Sequence, residues 1–548
     1  MESGLLSPPL TEADTPVDLD HTTLLQSLSV KDDPCQSPSR HERQLGDSEL
    51  AFYLPSRQMG VNDMYLALEF RAVERVMRRS RVRVAWALLR LRHPLLASSV
   101  EMHDYHDVRF VYQAPESPDE LLLDANTTLN YCAHPANELI DKYVNGPRTL
   151  SDSRLSYLTI SQPGAGPSFL PTPPLSPSGQ SDHSYEDMPS QEMYDYTVFM
   201  CVAHFIGDGM SVIDLSKLLL DILGSDKSTC QLEVQLRDEW HMRFGKSTNI
   251  PALPVAAEDR LPTLKGKFRR VAAKVDFLRD QQKNIGGQVF PRWQSKGRHI
   301  SVRSVAFDAE KTAQILKKCK SECVSVSLVI FALCNMVWSR SHHGNKDLPA
   351  MMYSALSLRP YLKPAPPLSS DLFLAVGYFN VVLPSFIPKD SDEAKLFWHR
   401  ARSARDQCFR TAKSQMLPFR SREMAHKRAE QARAWAVIDD TNAGSAPKLK
   451  EQPTAPADIF PKVPSATLLG ISLLGNVNSL SDIAKAPLFE VKGMTPGVRQ
   501  RAGGMLMFSF TFMQKLWIVV NWDELGYDRE VFDTFWNGVV AGVDEFLC

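Results

Sequence analysis

From Val198 to Ala203 the chain reads VFMCVA, apolar at every position, and it stops at a histidine, His204. A strand without hydrophobic alternation is buried on both faces, so it belongs in the interior of a sheet that is covered on both sides. The next residues, FIGDG, supply a turn with two glycines. Val212, Leu215, Leu219 and Ile222 then recur at helical spacing until Gly224. A buried strand feeding an amphipathic helix is the building unit of α/β folds, and His204 stands at the strand end, where such folds open their clefts.

The same mixture runs through the rest of the chain. Val82, Ala85, Trp86 and Leu89 mark a helix that Pro94 stops, and HDVRFVYQAP and RLSYLTIS (residues 154–161) read as strands. In the second half, strands are predicted at residues 299–307, 377–386, 468–475, 506–513 and 515–522. Helices are predicted over 309–319 and 325–339, and a last one closes the chain with Val531, Phe535, Val539 and Val543 inward. With 548 residues the chain exceeds what one core supports, and two α/β domains of roughly 200–250 residues each are expected.

Composition places the breaks. Residues 1–47 are rich in Ser, Pro, Asp and Thr and predict a disordered tail ahead of a first domain over 48–258. A basic segment, RLPTLKGKFRRVAAK, lies in a linker over 259–295, and a second domain follows over 296–548. Two Pro/Ser-rich stretches, 162–191 and 439–466, read as flexible insertions.

Sixty-two basic against sixty-three acidic residues point to neither nucleic acid nor an anionic membrane as partner. Nine scattered cysteines, without a CxxC pair, fit reduced thiols in a cytoplasmic protein. Cys319 and Cys323 would share a helix face, but no neighbouring His or Cys completes a ligand set, so no metal site is expected. The N-terminus lacks a basic start and an apolar core, and the longest apolar run, from Val324, reads as a buried helix, so neither a secretion signal nor a transmembrane segment is expected.

His204 is either an ordinary residue ending a strand or a base aimed into a cavity. About four random chains in a hundred of this length would carry His-x-x-x-Asp-Gly by chance, so the context counts for more than the motif. Neutral imidazole, titrating near about 6.5, can take a proton from a hydroxyl and return it to a leaving group. Asp208 could orient the ring, or it could turn away and pin the turn through an ion pair. The second reading is preferred, because Gly207 and Gly209 can send it to the opposite side, with Gly209 allowing a tight chain reversal.

HFIGDG at the end of such a strand resembles the signature of the CoA-dependent acyltransferase superfamily, which includes plant BAHD enzymes, fungal alcohol and trichothecene acetyltransferases, and the condensation domains of peptide synthetases. AWALLRLRHPLLASSV (85–100), SALSLRPYL (354–362), VGYFNVVLP (376–384) and LLGISLLGNVNSL (468–480) resemble further segments of that fold, in order. The resemblance implies two chloramphenicol-acetyltransferase-like domains, each a mixed sheet packed with helices, with a channel between them. It implies His204 as general base, and Asp208 as structural and paired with an arginine of the second domain, best matched by Arg359. Acyl-CoA would be a co-substrate, with no permanently bound cofactor, and the acceptor a small hydroxyl compound such as a terpenoid or glycolipid; a monomer is expected.

Two departures narrow this. The plant DFGWG loop is missing, its region reading VVNWDELGYD, and Ala203 stands where condensation domains usually carry a second histidine. The Pro/Ser inserts suit a fungal branch. An amide-forming or condensation-type enzyme and a non-catalytic scaffold are the rival readings; the absence of a GxSxG elbow argues against a hydrolase. Two basic stretches, 260–274 and Arg400–Arg433 with ten Arg or Lys against three Asp or Glu, are candidates for CoA phosphates or plain solvated helix faces. Asn521, Trp522 and Asp523 are candidates to line the channel, with Trp522 the most core-like of the three.

Overall fold

In the computed structural model, residues 40–164, 192–244, 253–293, 297–341, 343–363, 372–442, 465–480 and 488–548 are described. The strand that ends at His204, β7 (Met193–Val202), is central to a five-stranded sheet, as its unbroken apolar run requires. On one side it pairs antiparallel with β6 (Ser156–Ser161), which is parallel to β5 (Leu129–Cys132). On the other side lies antiparallel β2 (Met64–Val73), and beyond it β12 (Phe489–Val498). A small sheet, β1 (Arg40–Gln44), β4 (Val108–Gln113) and β3 (Ser99–Met102), lies in the same lobe.

The second lobe holds a six-stranded mixed sheet in the order β10 (Val376–Leu383), β9 (Ala350–Ser357), β11 (Leu469–Asn476), β13 (Met505–Phe512), β14 (Lys515–Asp523), β8 (Ile300–Phe307). Helices α10 (Ala309–Ser321), α11 (Val326–Arg340), α12 (Glu393–Ala412) and α14 (Arg529–Leu547) cover it. The first lobe carries α1 (Asp47–Ser56), the single turn α2 (Glu74–Met77), α3 (Arg79–Arg92), α4 (Pro118–Thr127), α5 (Ala136–Asn145), α6 (Gly209–Leu223) and α7 (Thr229–Phe244). Between the lobes run the short α8 (Ala257–Arg260) and α9 (Lys267–Gln281), and α13 (Leu417–Asn442) lies along α1. The architecture is mixed α/β in two lobes, each with its own core. Trp86, Phe110 and Phe205 anchor the first; Phe331, Trp338 and Trp522 anchor the second.

Two segments of the second half belong physically to the first. Strand β12 completes the first lobe's sheet, opposite β2 from Phe489↔Ala72 to Val498↔Met64. Its Pro496 is tolerated because β12 is an edge strand, with one side free of ladder bonds. Helix α13 joins the first lobe through Arg57, whose guanidinium binds the Asp440 carboxylate with two bonds at 2.9 and 3.1 Å. Both β12 and α13 follow residue 296 in sequence yet pack in the first lobe.

Several expectations move. Residues 40–47, assigned to the tail, form β1 and the start of α1; β1 is made of charged and polar residues and is held by its register with β4 and by Arg43 clasping Glu49 at 2.7 and 2.8 Å. Residues 1–39 lie outside the described residues, as do 165–191 and 443–464 of the two insertions; residues 439–442 are the end of α13. The linker holds helix α9 and the buried Phe290, which packs into the second core. Cys323 does not share a helix face with Cys319: it follows α10 with a left-handed φ of 55°. Among the described residues no single helix is long and apolar enough to cross a membrane.

Strand β2 has ten residues, eight of them buried, between β7 and β12. A fragment ending at Gln281 lacks β12 and leaves β2 as a long apolar edge. It is expected to run as oligomers or aggregate in size-exclusion chromatography with light scattering; a stable, monodisperse monomer would contradict the shared-sheet account.

Candidate active site

After β7 the chain makes one 3-10 turn, His204–Ile206, that is pinned from below. Phe205 and Ile206 are buried, and Phe205 packs edge-on to Tyr53 and parallel to Phe110. With those two side chains committed to the core, His204 is left at the top of the turn. Its imidazole stacks on Phe52 of α1, ring centres 4.1 Å apart and planes 19° apart. Nδ1 lies 3.1 Å from the Gly207 carbonyl oxygen, which can only accept, so Nδ1 carries the proton and Nε2 keeps its lone pair. Burial pushes the histidine's pKa below its ordinary value, and the Arg428 charge acts in the same direction.

Asp208 faces away from the ring. As N-cap of α6 its Oδ1 accepts from the Ser211 amide at 3.2 Å and the Ser211 hydroxyl at 3.3 Å. Its Oδ2 accepts from Arg359 Nη1 at 2.7 Å and from the Ala375 amide at 3.2 Å. Arg359, in a 3-10 turn just after β9, also donates to Ser211 Oγ at 2.9 Å and the Phe373 carbonyl at 3.2 Å, with its guanidinium over the Phe373 ring. First-lobe turn and second-lobe loop are thereby tied at one carboxylate.

Gly209 is the first residue of α6 and has no left-handed φ, so it is not needed for a chain reversal. What constrains it is space: a Cβ there would stand 3.2 Å from Leu474 Cδ2 of β11. Gly207 is tighter, with Leu372 Cδ1 at 2.9 Å from a Cβ. Both glycines let the second lobe approach the turn.

His204 opens onto a cavity of about 200 Å³ between the lobes, with Phe52, Met64 and Val212 on one side and Ala355, Ile471 and Phe508 on the other. A second cavity of about 1140 Å³ opens on the α9, α12 and α13 side. Tyr353, Tyr378 and Arg428 line both, so the two chambers meet at a waist of two tyrosines and one arginine. Burial raises both tyrosine pKa values, and the phenols stay neutral.

The basic run divides by environment. Arg400 is buried and donates to Asn335, Ser339 and the Phe386 carbonyl, a core role. Arg420 is held by Asp276 and Asp280, and Arg402 by Glu322. Arg410, Lys427 and Arg428 line the large chamber. The 260–274 stretch is largely an exposed helix face of α9. Asn521, Trp522 and Asp523 do not line the cavity. All three are buried: Asn521 donates to Tyr65, Trp522 stacks on Phe532 at 3.5 Å, and Asp523 ties the Gly503 and His299 amides. Phe52, Tyr353 and Tyr378 line the cavity without being singled out in the sequence, and Arg428 stands undistinguished within the candidate run Arg400–Arg433. Tyr378 sits inside VGYFNVVLP, but no local pattern distinguishes Arg428 from its basic neighbours.

The fold, two α/β lobes with a cavity between them, is shared with solved structures of an O-acetyltransferase and of condensation domains. The trichothecene 15-O-acetyltransferase TRI3 of Fusarium sporotrichioides superposes with a TM-score of 0.66 at 14% identity, covering 93% of this chain and 95% of that one. The first condensation domain of the CDA synthetase gives 0.55 at 12% identity, over 93% and 97%. Polyketide synthase associated protein 5 of Mycobacterium tuberculosis gives 0.51 at 13%, over 91% and 96%. No protein-family model matches the sequence, and no curated protein matches it. The likeness thus lies in the fold.

Removing Arg359 strands a nearly buried carboxylate at the seam. Since Arg359 is about one-third exposed, Arg359→Ala is expected to cost about 2–3 kcal/mol, less than for a fully buried pair. Adding Asp208→Asn should recover part of it, as read from denaturant midpoints; strictly additive losses would mean the two side chains are uncoupled.

Proposed function

We propose that this chain is an acyltransferase that moves an acyl group from CoA to a hydroxyl of a small secondary metabolite, with His204 as general base. One observation carries the reading: an imidazole with its Nδ1 proton given to a carbonyl and its Nε2 left for a ligand faces a cavity that both lobes line.

The acceptor hydroxyl bonds to Nε2 and attacks the thioester carbonyl as Nε2 takes its proton. When the tetrahedral adduct collapses the carbon–sulfur bond breaks, and the imidazolium returns the proton to the departing thiolate. No acyl-enzyme forms. The Gly207 carbonyl, already accepting from Nδ1–H, favours the imidazolium while it lasts and holds the ring's orientation. Asp208 takes no part in proton transfer, since both its oxygens are engaged elsewhere. Desolvation of His204 serves both half-steps: it keeps the base neutral at cellular pH and makes the imidazolium a ready acid towards sulfur. Two substrates held in adjoining chambers add the advantage of proximity.

Thiol release from a panel of acyl-CoAs, with and without candidate alcohols, tests the reaction. His204→Ala should lower kcat/KM by about 10²- to 10⁴-fold; full activity would remove the histidine from the mechanism. The wild-type rate should rise with pH through an acid limb lying below the ordinary histidine range, because protonation of a depressed-pKa base is what abolishes activity. A limb at or above the free histidine value would contradict the desolvated base.

A further inference from the structure

Arg428 stands with Tyr353 and Tyr378 at the waist between the chambers. Its guanidinium lies 4.1 Å from the ring centre of Tyr378, from the second lobe, and 5.5 Å from that of Phe52, the ring on which His204 stacks. It lines both cavities, and among the described residues no carboxylate pairs with it. Two neighbouring arginines are tied down, Arg359 by Asp208 and Arg420 by Asp276 and Asp280, and Arg410 lines the large chamber but not the small one. The one carboxylate on the small chamber, Asp208, is consumed by Arg359, Ser211 and Ala375. The Tyr378 phenol oxygen accepts one hydrogen bond from Arg428, and the aromatic faces attract the cation, but neither is the carboxylate that the in-plane N–H fork matches. A half-buried cation without a protein counter-charge, facing a ligand chamber, takes that counter-charge from the ligand.

We infer that Arg428 is a specificity-determining residue that binds a carboxylate on the substrate, close to the reacting carbonyl. The inference rests on the transferase reading for the place of the reaction, and it deepens that reading by naming a substrate class. The carboxylate belongs either to a dicarboxylic acyl donor, such as a malonyl or succinyl thioester, or to a hydroxy-acid acceptor. CoA phosphates do not fit this role, because the pantetheine arm separates them from the thioester by far more than one side chain's reach.

Calorimetric binding to the His204→Ala protein separates the two sources without turnover. One arm compares malonyl-CoA with its methyl ester and with acetyl-CoA; the other compares mandelate and a long-chain hydroxy fatty acid with their methyl esters. In one arm the free acid should bind at least about tenfold more tightly than the ester, as expected for a charge-assisted pair. Adding Arg428→Gln should abolish that preference, and Arg428→Lys, which keeps the charge but loses the fork, should retain part of it. Thermal melts establish that each variant is folded, and if the glutamine form is not, the lysine form and the parent protein decide. Equal binding of acid and ester in both arms, or a loss on Arg428→Gln that is the same for acid and ester, overturns the inference. Carboxylate selectivity without any acyl transfer by the wild type would remove the reaction and leave this site. Transfer without selectivity would remove this site alone.

Discussion

A single carboxylate fixes the geometry on which the site depends. Asp208 caps α6 with one oxygen and holds Arg359 and the Ala375 amide with the other, so the turn after β7 and the loop after β9 cannot shift independently. Its neighbour four residues back inherits the consequence: with Phe205 and Ile206 locked in the core and Asp208 facing the other lobe, the His204 ring faces the cavity. Losing either charge would leave the other poorly solvated at the seam, which is why such pairs act chiefly as registers rather than as net stabilisers.

The seam is reinforced by chain crossing as well as by charge. Strand β12 supplies the first lobe with its outer strand, and α13 lies along α1 with Arg57 and Asp440 clasped between them. The chain therefore crosses the seam more than once, and segments of its second half are built into the first lobe. Helix α13 also brings Arg428 to the waist. One element thus closes the seam and sets the electrostatics of the chamber it closes.

Much of the fold was legible because its signals are local. The run VFMCVA could only be an inner strand, and the helical spacing of Val212 to Ile222 could only follow it as a covering helix; β8, β10, β11, β13, β14 and α14 likewise appear within a few residues of where periodicity puts them. What escaped depends on distant partners. β12 reads FEVKGMTPGV, with a proline and two glycines that argue against a strand, and it is one only because β2 offers an open edge. β1, RHERQ, has no apolar face and is fixed by pairing with β4. At the site, the positions of His204, Asp208 and Arg359 followed from a motif and a resemblance. Phe52 and Arg428 come from helices whose patterns say nothing about a cavity, and a charge run cannot show that Arg400 is core, Arg420 is paired and Arg428 lines the cavity between the lobes.

The central claim is that His204 presents an unprotonated Nε2 to the chamber between the lobes. Nitrogen-15 NMR of protein labelled in its histidine rings, with His204 assigned by substitution, reads this directly. The account predicts a neutral ring at pH 7 in the Nδ1–H form, with a titration midpoint below that of free histidine. A ring that is imidazolium at pH 7, or that carries its proton on Nε2, would contradict it.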